Sequence, residues 1–276
     1  MTKYVFCTPI IRGFNDMLCT INNCYNYCKK YNRTLLIDTS NSIYKFNFSE
    51  YFSLFSNDIT ITYNTEDVYK ILNIEHYSYY PPNTDPIQKY CSKTNNSLQF
   101  DYTKDYNEDI LVFSDSNSRH SPPKELLSFL KLNKSLTNII KERYSLMDKS
   151  YLSIHIRNTD WISDYTQTYA NNKEEISKYK YIYLATDSID AFNYFNTLRL
   201  NIISYTHFTE KNEPLHTSKM LDKKILFIDM ICDLFLLALA NKLILSKEYH
   251  GFSKLAFYLN NNKDALFQIL GGDPQF

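Results

Sequence analysis

Glycine is scarce in this sequence: four residues in 276. None sits in a G-x-G-x-x-G turn and no Walker-type lysine follows one, so neither a dinucleotide-binding fingerprint nor a P-loop is present. Net charge is missing too. Thirty basic and thirty acidic residues cancel, which argues against the basic footprint of a nucleic-acid binder while leaving a local basic groove open. The longest apolar run, Ile225 to Leu245, is interrupted by Asp229, Asp233, Asn241 and Lys242, and placing those groups in lipid would be costly. The amino-terminal stretch MTKYVFCTPII is too short in its apolar part for a secretory signal and lacks a small-residue cleavage pattern. Six cysteines, at 7, 19, 24, 28, 91 and 232, include no second cluster at zinc-like spacing. They read as small buried hydrophobes in a reducing compartment. Together these absences predict a cytoplasmic protein with no transmembrane segment, peripheral membrane contact being left open.

What is present is apolar and aromatic. A hydrophobic fraction of 44% suffices for one large domain or two modest ones. The 25 Tyr and 18 Phe, beside many Asn, Lys and Ile, carry the bias of an AT-rich genome and are no carbohydrate platform on that ground alone. Tyr4 to Ile10 is a short apolar run that predicts a buried strand. A turn at Arg12-Gly13-Phe14-Asn15-Asp16 follows, then the helical stripe Met17, Leu18, Ile21, Tyr25 and Cys28, then a strand at Leu35–Ile37. Strand, turn, helix, strand is a βαβ unit and implies a parallel sheet.

Residues 41–110 are less periodic, with a loop-like stretch from Pro81-Pro82 to Ser97 and a strand at Ile110–Phe113. Pro122-Pro123 open a segment whose Leu126, Leu127, Leu130, Leu132, Ile139, Ile140 and Tyr144 predict helix bridging two halves. The second half repeats the alternation: strands at Tyr151–Ile156, Tyr181–Ala185, Ile202–Tyr205 and Leu243–Ser246, helices at Asp190–Leu198, Lys223–Ala240 and Ser253–Leu259. No internal repeat is visible. Two α/β halves, 1–145 and 146–276, are expected to face a central cleft at the carboxyl ends of their strands, where open α/β sheets bind ligands.

Four polar turns leave those strands. His155-Ile156-Arg157-Asn158-Thr159-Asp160 is the densest. Alternation along a strand puts His155 and Arg157 on one side, and a guanidinium there suits a phosphate, to which it can donate two parallel bonds. A plain Arg157–Asp160 salt bridge accounts for the spacing equally, and Asp160 could instead cap the next helix. Asp187, in Ala185-Thr186-Asp187-Ser188, could accept from a ribose or base; the cap of the following helix is the competing reading. Gly251, in Tyr249-His250-Gly251-Phe252-Ser253, would let a ligand approach a helix amino terminus, or is a loop glycine. Gly13-Phe14-Asn15-Asp16 completes the set.

His155-Ile156-Arg157-Asn158-Thr159-Asp160 resembles the H-x-R-x-T-D motif of the fucosyltransferase superfamily, which includes nodulation α1,6-, α1,2- and protein O-fucosyltransferases. Ala185-Thr186-Asp187 is similar to its A-[ST]-D strand end, Gly251-Phe252-Ser253-Lys254-Leu255-Ala256 to its S-S-F-S-x-L-A turn, and Gly13-Phe14-Asn15 to its amino-terminal G-x-N loop. Asn32-Arg33-Thr34-Leu35 falls where the family's second strand begins. Residues 40–140 show no match.

The resemblance implies a GT-B-like fold of two Rossmann-type halves, an acceptor-side first domain and a nucleotide-sugar-binding second. It implies inversion at the anomeric carbon with no metal and no cofactor beyond a GDP-linked donor. No Asp-x-Asp follows a strand; Asp115-Ser116-Asn117 lacks the second carboxylate. Arg157 would neutralise the departing diphosphate and His155 support the donor. Asp187 would lie against the nucleoside, Phe252 and Ser253 against phosphate and base, and Asn15 would approach from the first domain. His250 and Gly251 replace the family's two serines, and Arg12 stands where some relatives carry a glutamate base. Asp16 is then the first candidate for the acceptor base and Asp160 the second. The expected activity is transfer of fucose or a related sugar to a surface glycan of a bacterium, or of a large virus acting in its host's cytoplasm. A non-catalytic nucleotide-sugar-binding protein on the same fold is the alternative. A sulfotransferase or kinase is disfavoured by the missing P-loop.

Overall fold

Short apolar runs become the parallel strands of two separate sheets. The computed structural model describes residues 2–9, 13–73, 76–80, 101–113, 121–147, 150–160, 162–208, 222–246 and 251–272. The chain divides into two compact units, Met1–Asn133 and Lys134–Phe276.

The first unit runs β1 (Tyr4–Cys7), α1 (Phe14–Tyr31), β2 (Thr34–Ile37), α2 (Phe48–Tyr51), β3 (Phe52–Leu54), β4 (Ile61–Thr62), α3 (Thr65–Leu72), β5 (Tyr79–Tyr80), β6 (Ile110–Phe113), α4 (Lys124–Leu127) and β7 (Leu130–Leu132). Its main sheet has the order β4-β2-β1-β6-β5, parallel throughout. The middle strands are buried on both faces, which is why they read as unbroken apolar runs and not as alternations. The helix α1 buries its predicted stripe, Met17, Leu18, Ile21, Tyr25 and Cys28. It stops at Asn32, which takes a left-handed conformation at φ 51° and donates its N–H to the Cys28 carbonyl; asparagine tolerates that conformation better than most residues. Lys29 and Lys30 in the last turn complement the helix dipole.

The second unit runs α5 (Lys134–Ser145), β8 (Leu152–Ile156), α6 (Tyr165–Ile176), β9 (Ile182–Thr186), α7 (Ile189–Thr197), β10 (Ile202–Ile203), α8 (Lys223–Leu239), β11 (Lys242–Leu245), α9 (Gly251–Asn261) and α10 (Lys263–Ile269). Its sheet, β10-β9-β8-β11, is also parallel. Leu152, Ile154, Ile156, Leu184 and Phe195 centre one core cluster. No helix of the described residues is long and apolar enough to cross a membrane.

Two expectations change. The segment after Pro122-Pro123 is not continuous helix: α4 ends at Leu127 and Leu130–Leu132 is a strand, paired antiparallel with β3. Leu130 and Leu132 are buried while Lys131 is exposed, a period of two that the neighbouring leucines disguise as a helical stripe. The compact units meet at residues 133 and 134, and α5 packs on α8 of the second unit. In addition, β10 stops at Ile203, since Tyr205 and Thr206 turn to partners on α5 and α8. The loop expected at 81–97, Asp115-Ser116-Asn117, Cys91 and His250 lie outside the described residues.

Candidate donor site

The site in the second unit is built where β8 and β9 end and α9 begins. His155 is the penultimate residue of β8, buried between β9 and β11. Its Nδ1 lies 3.0 Å from Ser253 Oγ, and its ring stands 5.3 Å from that of Phe252, tilted by 40°. The tautomer decides which of Nδ1 and the hydroxyl donates. Three residues expected together from sequence, His155, Phe252 and Ser253, are thus in contact, with Gly251 opening the same helix. The first-turn amides of α9 lack intrahelical partners, as in any helix, and carry the positive end of its dipole.

Arg157 follows β8 directly. Its Nε and Nη2 donate to the two carboxylate oxygens of Asp160 at 2.9 and 2.6 Å, a bidentate fork on a partly exposed pair. The salt bridge that competed with phosphate binding in the sequence is therefore formed. The arginine's main chain is fastened as well: its N–H donates to Ser246 Oγ at 3.4 Å and its carbonyl accepts from the Ser163 hydroxyl. Ser163 N–H donates to Asn158 Oδ1 at 3.1 Å, closing the loop. Asp160 does not cap the next helix; Asp164 does, accepting from Gln167 N–H.

Asp187 does not cap α7 either. Ser188 takes that place, accepting from Ala191 N–H at 3.2 Å. One oxygen of Asp187 accepts from Asn158 N–H at 2.8 Å and the other from the Thr159 hydroxyl at 2.6 Å. The carboxylate ties the end of β9 to the loop that carries Arg157. Ser163 and Ser246 have no periodic or motif signal, and sequence reasoning missed them.

Gly13, Phe14, Asn15 and Asp16 lie in the first unit at the start of α1. Gly13 occupies the N-cap position at φ −61°, and among the described residues a Cβ there would meet nothing within 4 Å. Phe14 is buried and stacks on Phe52 with ring centroids 5.8 Å apart. That is a packing role. Asn15 is also buried; its amide donates to Cys19 Sγ at 3.7 Å, and among the described residues its Oδ1 meets no hydrogen-bond partner. An unsatisfied buried oxygen is costly, so Asn15 is the residue of this turn with unmet hydrogen-bonding capacity. Burial, reinforced by Asp16, pushes the Cys19 thiol up to about 11, which leaves it un-ionised at neutral pH. Among the described residues no group of three His, Cys, Asp or Glu side chains is placed to hold a metal ion.

Two units, each a parallel sheet with crossover helices, place the chain in the GT-B-like class of α/β folds. No protein-family model matches its sequence, and sequence comparison with curated proteins finds no match. The fold does find matches. The crystal structure of NodZ α-1,6-fucosyltransferase soaked with GDP-fucose superposes with a TM-score of 0.68 over 94% of this chain and 93% of that one, at 16% identity. Fucosyltransferase NodZ from Bradyrhizobium gives 0.66 over 94% of both chains, also at 16% identity. POFUT1 in complex with GDP-fucose gives 0.60 over 99% and 96%, at 12% identity. At such identities the likeness defines the fold, which is that of these fucosyltransferases.

Proposed function

We propose that this protein is an inverting, metal-independent glycosyltransferase that moves fucose or a related sugar from a GDP-linked donor to a glycan acceptor. The observation that carries the reading is the contact of His155 with Phe252 and Ser253, beside the fastened Arg157 loop, on a fold shared with fucosyltransferases solved with GDP-fucose. The second unit would bind the donor and the first would serve the acceptor. The five described cysteines are buried free thiols, which fits a cytoplasmic setting.

The chemistry needs a fixed positive charge where the leaving group gathers negative charge. As the glycosidic bond breaks, the sugar becomes oxocarbenium-like and the diphosphate takes the electron pair. The Arg157 guanidinium and the amides of the α9 amino terminus stabilise that charge, and such preorganised donors are worth more in the transition state than in water. A phosphate using the Nε–Nη2 edge of Arg157 must displace Asp160, a cheap exchange for a partly exposed ion pair. Asp16 and Asp160 are the candidate bases that take the acceptor's proton. His155 and Ser253 support the donor.

The test is a panel of nucleotides and nucleotide sugars followed by melting temperature. GDP and GDP-fucose should raise it, by mass action, where UDP-sugars do not; at a hundredfold excess over Kd the gain is about 2.7 kcal/mol. No response to any guanine nucleotide would overturn the reading. The alternative, a non-catalytic nucleotide-sugar binder, would hold the same donor through the same residues and lack only a base for the acceptor. Donor turnover with and without acceptor glycans separates the two: a binder shows neither hydrolysis nor transfer.

A further inference from the structure

Asp187 invites a different role from the one its motif suggests. Both of its oxygens already accept short bonds, from Asn158 N–H at 2.8 Å and Thr159 Oγ1 at 2.6 Å. Asn158 and Thr159 are the two residues that follow Arg157, and the far side of the loop is closed by Ser163 on the Arg157 carbonyl and on Asn158 Oδ1. On the β11 side, Ser246 accepts the Arg157 N–H. The backbone that presents the guanidinium is thus held from both neighbouring strands of the sheet, by Ser246 beyond β11 and by Asp187 beyond β9. Bonds to an ionised acceptor are the strong ones in this set. Since Ser188 caps α7, the carboxylate at 187 is not needed for the helix that follows it.

We propose that Asp187 is a positioning residue for Arg157, acting through the 157–160 loop and not by contact with the nucleoside. This rests on the reading of the site as a diphosphate clamp. A guanidinium acts on a developing charge only as well as its backbone is aimed, so a carboxylate that locks the loop contributes to diphosphate recognition without touching it.

The experiment compares GMP and GDP binding by calorimetry for the wild-type chain and for Asp187→Asn, Thr159→Val and Thr159→Ser. The ratio of the two affinities reports the terminal phosphate, and the GMP value alone reports the nucleoside end. Asp187→Asn and Thr159→Val should leave GMP affinity within about twofold and reduce the GDP advantage by about tenfold, the scale of one hydrogen bond to a charged group. Thr159→Ser, which keeps the hydroxyl, should retain it. The double variant Asp187→Asn/Thr159→Val should lose no more than the larger single loss, because one bond joins the two groups. Asp187→Asn weakening GMP as much as GDP, with Thr159→Val harmless, would put Asp187 on the nucleoside and overturn the proposal. So would unchanged binding in every variant. Should Asp187→Asn not fold, the two Thr159 variants read the same bond from its other end. A wild-type chain that binds neither nucleotide defeats the clamp reading itself, and the proposal with it.

Discussion

Among its described residues the second unit contains two arginine–carboxylate centres, and they are built in opposite ways. Arg157 and Asp160 are three residues apart at the end of β8, with side chains 28% and 36% exposed. Arg143 and Asp229 are 86 residues apart, joined at 2.9 Å, and the aspartate is only 5% exposed. The buried centre spreads further. His207 Nδ1 meets the other oxygen of Asp229, and Asp233 accepts from the Tyr183 and Thr206 hydroxyls. The Arg143 guanidinium lies 4.7 Å over the Tyr205 ring, whose hydroxyl donates to the Arg143 carbonyl. This network joins α5, β9, α8 and the segment after β10. An exposed pair trades partners at almost no cost, so its arginine can serve a ligand. A buried pair that loses one member leaves a charge stranded, so its arginine serves the fold.

The largest effect expected from that contrast is on stability. Arg143→Met should cost about 3–5 kcal/mol in denaturant unfolding, because the buried Asp229 loses its permanent cation and keeps only the exposed His207 imidazole beside it. Arg157→Ala should instead leave the unfolding midpoint within what a surface pair contributes, about 0–1 kcal/mol. Under the proposed function its loss should appear in transfer, at about 3 kcal/mol or 10²-fold and more in rate. An Arg157→Ala chain that unfolds, or an Arg143→Met chain as stable as the wild type, would erase the distinction between the two centres.

A second effect sharpens the contrast through pH. Burial, with Asp229 close by, raises the Asp233 carboxyl from 3.8 to about 7, against the opposing influence of its bonds to Tyr183 and Thr206. The folded chain therefore holds a proton there that the unfolded chain releases near pH 4. Stability should fall as pH rises from about 4 to about 7 and level off above, where both states are ionised. Asp233→Asn should flatten that part of the profile, measured as melting temperature against pH. A wild-type profile that rises through this window would show that Asp233 is held ionised by its partners.

How much of this was readable beforehand follows from what each feature depends on. Strands β1, β2, β6, β8 and β9 were legible because a parallel strand buried on both faces needs nothing but a short apolar run. The contact of His155 with Ser253 was approached through a motif resemblance and not through spacing, since the two are 98 residues apart. Leu130-Lys131-Leu132 was misread because three residues cannot show whether their period is two or 3.6. Phe14 stood in a recognisable G-F-N turn, yet its partner Phe52 lies far along the chain in a region without pattern. Asp229 and Asp233 were visible as interruptions of an apolar run. Their partners, on α5, β9 and the segment after β10, were not, because tertiary hydrogen bonds leave no local periodicity.

The smallest expected effect concerns Asp160, and its sign tells what the exposed pair is for. If the carboxylate merely occupies the Arg157 edge until a diphosphate arrives, Asp160→Asn removes a competitor and a like charge. GDP should then bind more tightly by about two- to fivefold, the worth of a surface ion pair. The gain should shrink in high salt, which screens the charge being removed. Weaker GDP binding in the variant would mean that Asp160 aims the guanidinium and that the bidentate pair belongs to the clamp. Transfer, measured in the same variant, separates a further point. Tighter GDP binding with transfer abolished would place the acceptor base at Asp160, which the arriving phosphate frees for that role. Tighter binding with transfer intact would leave the base to Asp16, where Asp16→Asn should then abolish it.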